Sequence, residues 1–353
     1  MSKTAFIGGY TSAKFGIHTV KITDDGQIQS VGFSDDIDNP IYFAINKAKD
    51  RLYVAQGEKV GGERVSNGAV AVYAIGKDFS LTLLDKRSTH YSVPCFISLD
   101  RAEKTLLFAE YACAHAGIFG LKADGTFADG EPVTVHHEGH GPNAKRQEAA
   151  HTHCSVATPD NTLMMVCDLG LDTVFAYDLT DWRSGLKRVP ASDIHTAPGA
   201  GPRHLIFAAS GKVAYLVNEL DSTVQSFAFD GKTFTALQTL SMLPPGCTDE
   251  TKAAAIRISP DGHWLLASNR GHDSIAAFPI GADGKLAETP VISKLTGHFP
   301  RDFAFVEGTN YLLCGHKLSD ELALYAFDSA NGTLARLPAT YPMERPLAIV
   351  FAD

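Results

Sequence analysis

No run of about 18 or more apolar residues occurs anywhere in this 353-residue chain, so it offers no candidate for a membrane-spanning helix. The opening stretch, Met1 to Tyr10, has too short an apolar segment for a secretory leader, and the chain reads as cytoplasmic. Cys-x-x-Cys pairs are missing. Cys95, Cys113, Cys154, Cys167, Cys247 and Cys314 are scattered, most of them within apolar runs where a free thiol acts as a small hydrophobe. Neither a disulfide framework, nor a zinc site, nor a cofactor is therefore expected. Clusters of Lys and Arg interleaved with aromatics are also lacking, and a net charge of −9 repels a phosphodiester backbone, which argues against nucleic acid as a partner. With 44% hydrophobic and 20% charged residues and no low-complexity tail, the composition excludes a disordered chain.

What is present is a repeat. Short strands alternating with period two recur as Ile17–Val20, Val70–Tyr73, Ile118–Leu121, Val174–Tyr177, Val224–Phe227, Ile275–Phe278 and Leu322–Tyr325, with copies 47 to 56 residues apart. That spacing is close to the roughly 40–50 residues of a four-stranded propeller blade. Seven copies account for the length, and each is preceded by a second apolar run, such as Leu106–Ala109 or Trp264–Ala267. Asp-Gly or Asn-Gly pairs at 25–26, 124–125, 230–231, 261–262, 283–284 and 331–332 fall between strands, where tight hairpins need positive φ. No amphipathic helical stretch competes. The pattern predicts an all-β, seven-bladed β-propeller with four-stranded blades, residues 1–353 forming one domain. Pro346–Phe351 matches the first strand of a repeat while Thr4–Ile7 matches a second strand, so the two termini are expected to share one closing blade.

In such a blade the start of the innermost strand and the end of its antiparallel neighbour lie at the same rim. First-strand starts fall at Pro40-Ile41, Pro94-Cys95, His153, Arg203-His204, Ala254-Ala255, Arg301 and Pro346. Second-strand ends fall at Tyr10, Glu58, Glu110-Tyr111, Asp168-Leu169, Glu219, Arg270 and Lys317. Arg203, Arg270, Arg301 and Lys317 are thereby expected to meet Glu219 and His153 in a cationic basin. Arginine suits a carboxylate or phosphate because its planar fork makes two charge-assisted hydrogen bonds.

The longest excursion between blades runs from His136 to Glu148 and leads into His151-Thr-His153; long irregular loops in compact proteins tend to be functional. Its five histidines do not form a helical His-x-x-x-His pair, and neighbouring arginines disfavour a cation, so no metal is expected there. His137, His140 and His151 read as structural or solvent-facing.

Several stretches, His137-Glu-Gly-His-Gly-Pro-Asn143, Arg146-Gln147, His151-x-His153, Cys167-Asp-Leu-Gly170, Gly199-Ala-Gly-Pro-Arg-His204, Val217-Asn-Glu219, Ile258-Ser-Pro-Asp-Gly262 and Ser268-Asn-Arg270, resemble the lactonase family of seven-bladed propellers. That family includes bacterial 6-phosphogluconolactonases and fungal 3-carboxy-cis,cis-muconate cyclases, and the resemblance spans the whole chain. It implies a catalytic set of His153, Arg203, Glu219 and Arg270. The chain departs from the family at His140, where a small residue is usual.

Opening a lactone needs an activated water, oxyanion stabilisation and a proton for the departing alkoxide. Glu219 and His153 are the candidates for base and acid in either order, Arg203 and Arg270 for the oxyanion, and Arg146, His204, Arg301 and Lys317 for substrate binding, with Arg301, Lys317 or Arg146 holding a 6-phosphate. The expected partner is thus a small anionic sugar lactone, most simply 6-phosphogluconolactone, with no nucleic acid and no membrane; a monomer is compatible with the pattern. A carboxymuconate cycloisomerase or an unphosphorylated aldonolactone lactonase would use the same four residues. A protein-binding propeller is the alternative of another class, although no Trp-Asp signature ends the blades.

Overall fold

The computed structural model describes residues 2–10, 16–35, 37–60 and 63–353; the side chains of 58–60 and 63–66, including the expected strand-end residue Glu58, lie outside the description. Seven antiparallel sheets of four strands each make up the architecture. Their innermost strands are Tyr42–Ile45, Phe96–Leu99, Thr152–Ala157, Pro202–Phe207, Lys252–Ile258, Pro300–Phe305 and Pro346–Phe351. Each of these touches the next, and the last touches the first, so the sheets close into a ring as the sevenfold repeat predicts.

The second strands Thr105–Glu110, Leu163–Asp168, Val213–Asn218 and Trp264–Arg270 are buried along their entire length. Neighbouring blades cover both of their faces, which is why they read as continuous apolar runs; strands buried on both sides have no polar face to alternate with. The outer strands Ile28–Asp35, Leu81–Ser88 and Phe234–Ser241 are only partly covered.

The termini share one sheet, as expected. Lys3–Gly9 pairs with Pro346–Phe351, placing Ala5 opposite Phe351 and Ile7 opposite Ile349, and Thr4 donates its backbone N–H to the Asp353 carboxylate at 2.7 Å. The join thereby pairs a sheet edge that would otherwise be open. At the hairpins, Gly284 has φ +78° and Gly332 φ +77°. A Cβ on Gly332 would stand 2.4 Å from the Trp264 ring of the preceding blade, so this turn also serves as an inter-blade packing surface.

One irregularity recurs where it matters. In five consecutive innermost strands, pairing with the second strand skips His153, Arg203, Ala254-Ala255, Arg301 and Leu347. A β-bulge releases a residue from the ladder and re-aims its side chain. Three of these five bulges thus free ionisable side chains that the repeat singled out at the rim, His153, Arg203 and Arg301.

Candidate active site

A cavity of about 550 Å³ opens at the rim where innermost strands begin and second strands end. His153 and Arg301 enter it from their bulges, Arg270 from the end of Trp264–Arg270, and Glu219 from just beyond Val213–Asn218. Arg146 reaches in from the long loop, and Tyr111 from the turn after Thr105–Glu110. The volume lies within the roughly 300–1,000 Å³ typical of small-molecule sites.

Glu219 is the hub. Its Oε1 accepts from Arg146 Nη2 at 2.6 Å, while Oε2 lies 2.9 Å from Arg203 Nε and 2.7 Å from Arg270 Nη2. The residue is 2% exposed. Burial alone would favour the protonated acid, but the guanidiniums of Arg270, Arg203 and Arg146 hold the carboxyl well below its usual range. Glu219 is therefore a carboxylate at neutral pH with both oxygens engaged. A buried charge is tolerated only when paired this closely.

His153 sits in the opposite electrostatic state. Burial, reinforced by Arg203 and Arg301 and opposed by Glu219, drives its pKa well below that of a free histidine. The ring is neutral, and its buried Nδ1 has no hydrogen-bond partner among the described residues. The Tyr111 and His153 rings are T-shaped to one another, 5.8 Å between centroids.

The cations divide into two groups. Arg203 is 2% exposed and is not among the residues lining the cavity; besides Glu219, it donates to the Ala254 carbonyl at 2.6 Å and meets the His204 ring at 3.1 Å. Arg270 lines the cavity, with Nη2 bonded to the Ala253 carbonyl at 2.8 Å and its face over Phe299. Burial, with Arg203 and Arg301 nearby and Glu219 opposing, pushes its pKa down to about 9, so it remains charged at neutrality. By contrast Arg301 lines the cavity without a hydrogen bond or ion pair to any described residue. Lys317, expected to bind substrate, is not among the residues lining the cavity; its Nζ is 5.5 Å from the Tyr10 ring and 5.8 Å from Phe299, in a setting where burial and then Arg301, Arg270 and Arg345 lower its pKa.

His204 is placed elsewhere than a substrate-binding residue needs to be. It lies outside the cavity lining, 4% exposed, with its ring against Phe96, His153 and Tyr42 at centroid distances of 5.1, 5.1 and 6.2 Å. Burial, then Arg203 and His153, holds it neutral.

Two aspartates fix the loop that carries Arg146. Asp168 Oδ2 meets His137 Nδ1 at 2.6 Å, and its Oδ1 accepts the His151 backbone N–H at 2.8 Å. Asp172 accepts from Gln147 Nε2 and from the Gly201 N–H at 2.8 Å, and from the Gly199 N–H at 2.6 Å, tying this loop to the one that leads into Arg203. His151 stacks on Tyr111 at 4.3 Å, and His140 is exposed. The histidines of the loop, His153 apart, thus shape the wall or face solvent.

Sequence reasoning left Tyr111, Asn39 and Ser92 without a role, although all three line the cavity. The strand-end rule that selects Glu219 and Arg270 reaches Tyr111 as well; Asn39 and Ser92 come from connecting loops and carry no such signal. A larger groove of about 880 Å³ lies among the hairpins at the other end of the strands. Its basic residues are matched by acids, as Arg51 is by Asp50 at 3.4 Å, so it lacks the convergent positive charge of the smaller cavity.

Comparison with known proteins agrees with the propeller architecture. Residues 4–351 match the family model described as lactonase, 7-bladed beta-propeller. A 6-phosphogluconolactonase from Bacillus subtilis is 32% identical over 98% of this chain and 97% of its own length. Among solved structures, a periplasmic gluconolactonase from Pseudomonas aeruginosa superposes with a TM-score of 0.91 at 27% identity, covering 100% of this chain and 99% of that one. A protein from Lactobacillus plantarum gives 0.88 at 31% identity, with both chains fully covered.

Proposed function

The chain belongs to the lactonase family of seven-bladed β-propellers and is a lactone-hydrolysing enzyme; from that premise we propose that its substrate is 6-phospho-D-glucono-1,5-lactone, opened to 6-phosphogluconate. The observation that carries this reading is the charge balance of the cavity. Glu219 neutralises part of the charge of Arg146, Arg203 and Arg270, whereas Arg301 has no ion-pair partner among the described residues, and Lys317, outside the cavity lining, adds to the positive field there. A substrate bearing a phosphate supplies the missing anion, and charge-assisted bonds to a guanidinium are among the stronger polar contacts.

In the reaction we propose, His153 takes a proton from a water molecule, whose oxygen bonds to C1 of the lactone. The carbonyl oxygen becomes an oxyanion beside Arg270, the guanidinium that both lines the cavity and is held rigidly by backbone carbonyls; preorganised charge of this kind stabilises a developing oxyanion. The C1–O5 bond then breaks, and the His153 imidazolium returns its proton to the leaving alkoxide. His153 thus serves as base and then acid. Glu219, being ionised and fully engaged, has no proton to give; its part is to hold three guanidiniums in position. A neutral but weakly basic imidazole suits a lactone, whose ring opens readily, and a dianion bound near Arg301 lifts the histidine's proton affinity by offsetting the positive field.

The same proposal places the enzyme in the cytoplasm, and cell fractionation checks that. The substrate is tested by initial rates on freshly prepared 6-phosphogluconolactone and on glucono-δ-lactone, each against the uncatalysed rate. A clear preference in kcat/KM for the phosphorylated lactone supports the proposal. Equal values, or preference for the unphosphorylated ring, replace it with an aldonolactone lactonase.

A further inference from the structure

Beside the cavity, the hairpin joining Thr105–Glu110 to His115–Gly120 gathers three side chains that the lactone chemistry does not use. Glu110 and His115 are direct cross-strand partners, and Cys113 lies in the turn between them. One ligand atom from each of Glu110, Cys113 and His115 lies within 4.8 Å of the others. Cys113 Sγ is 3.1 Å from Glu110 Oε2 and 3.2 Å from Ser92 Oγ.

Glu110 is 0% exposed, and its Oε1 has no hydrogen-bond partner among the described residues. Thr89 and the Ser92 amide lie beside the carboxyl and favour its ionised form, but burial outweighs them. An orphaned buried carboxylate oxygen costs desolvation energy that a ligand would recover. The His115 ring is fixed in place, with Nδ1 2.8 Å from the Cys113 carbonyl and its faces stacked on Tyr91 at 3.7 Å and His136 at 4.6 Å. A hydrogen bond from one ring nitrogen to a carbonyl is the usual way a ligating histidine is oriented.

We propose that Glu110, Cys113 and His115 form a binding site for a zinc-type divalent cation in the wall of the active-site cavity. One thiolate, one imidazole and one carboxylate are donors suited to such an ion, and in a tetrahedral site they leave a fourth position for water. The observed spread exceeds the roughly 3.5 Å ligand–ligand separation that tetrahedral bonds of about 2.0–2.3 Å require, so modest side-chain rotation closes the site. Binding replaces the thiol proton: Cys113–SH and M²⁺ give Cys113–S–M⁺ and one H⁺. With the thiolate and the Glu110 carboxylate both bound, the ion's two charges are cancelled. The site would brace the turn carrying Tyr111 and Ala112 and, through Cys113, the Ser92 segment, all of which line the cavity. The arrangement falls outside the patterns on which the expectation of no metal rested, because its donors are brought together by a hairpin.

Cobalt(II) is the probe. Titration of the purified, metal-stripped enzyme is expected to give one equivalent bound with thiolate-to-cobalt charge-transfer absorption in the near ultraviolet and ligand-field bands in the visible, and zinc should displace it. Cys113→Ser should abolish the charge-transfer band, and His115→Gln should weaken binding by on the order of 100-fold or more. Cys247→Ser should leave the spectrum unchanged; it controls for the other His/Cys/Asp cluster, Cys247, Asp249 and His272. Absence of a charge-transfer band in the wild type overturns the proposal, as does its survival in Cys113→Ser. Circular dichroism identifies a misfolded variant, in which case Cys113→Ala is titrated in its place and read by the same criterion. These readouts do not depend on any lactone being turned over.

Discussion

Arg203 donates to Glu219 at 2.9 Å from a backbone position that has slipped out of its sheet ladder, and in doing so it is buried beneath the cavity instead of lining it. Its influence on a substrate must pass through Glu219 and Arg270. Replacing Glu219 by Ala leaves three neighbouring guanidiniums without their shared counter-charge, two of them buried, and should cost about 3–5 kcal/mol of stability, seen as a lowered denaturation midpoint. Glu219→Gln, which keeps the shape and loses the charge, should lose less stability. A midpoint for Glu219→Ala within error of wild type contradicts the hub role.

For the oxyanion the partner that lines the cavity, Arg270, is the one to remove. Arg270→Ala should lower kcat by a factor equivalent to roughly 2–4 kcal/mol, the range for loss of one oxyanion donor. Arg203→Ala should show a larger drop in stability relative to its effect on kcat. Comparing the two variants by denaturation and by single-turnover kinetics separates the roles.

His153→Gln should reduce kcat by roughly 10²–10⁴-fold while leaving the fold intact, as expected when a general base is removed. Because the pKa of His153 lies well below the ordinary value, the acid limb of the kcat/KM profile should appear below pH 6.5. A limb centred at or above 6.5 would show that another group titrates.

Stability should fall on acidification, and the sign follows from the same shifts. His153 and His204 have folded-state pKa values depressed below 6.5, so below that pH the unfolded chain binds protons that the folded chain refuses. Glu219 adds to this at lower pH: its carboxyl is depressed in the fold, so its contribution is present above about 4.5 and is lost as pH falls toward the folded value. Denaturant midpoints measured from pH 7.5 to 5 should therefore decline, and His153→Gln should make the decline shallower. An unchanged slope in that variant removes His153 from the explanation.

Arg301→Ala should raise KM for the phosphorylated lactone roughly 10- to 100-fold and leave glucono-δ-lactone kinetics nearly unchanged, since a charge-assisted contact is removed from one substrate only. Lys317→Ala should act in the same direction with smaller effect. Equal losses on both lactones would place Arg301 at the reacting centre.

Much of this was legible in the chain because the propeller repeats its geometry. The strand following Gly332 and the one ending at Arg270 announce themselves through turn chemistry and apolar runs, which are local properties. The rim positions were legible too, since the residue opening each innermost strand can be counted from the repeat. Depth was not. Whether Arg203 lines the cavity or lies under it depends on how far its bulge turns the side chain and on Glu219 arriving from the next strand. The pairing of His137 with Asp168 spans 31 positions and leaves no periodic trace, and Tyr111 gains its role from Arg146 and His151 in a loop without repeat counterparts. The Glu110–Cys113–His115 group was hidden because the rim rule reaches Glu110 alone, and it is the hairpin that brings Cys113 and His115 to it.

A crystal structure with 6-phosphogluconate bound tests the central claim most directly. The account predicts the phosphate on Arg301 and Lys317 and the C1 carboxylate between His153 and Arg270. Product lodged in the groove at the opposite end of the strands, or bound with its phosphate against Arg270 and its carboxylate remote from His153, would contradict it.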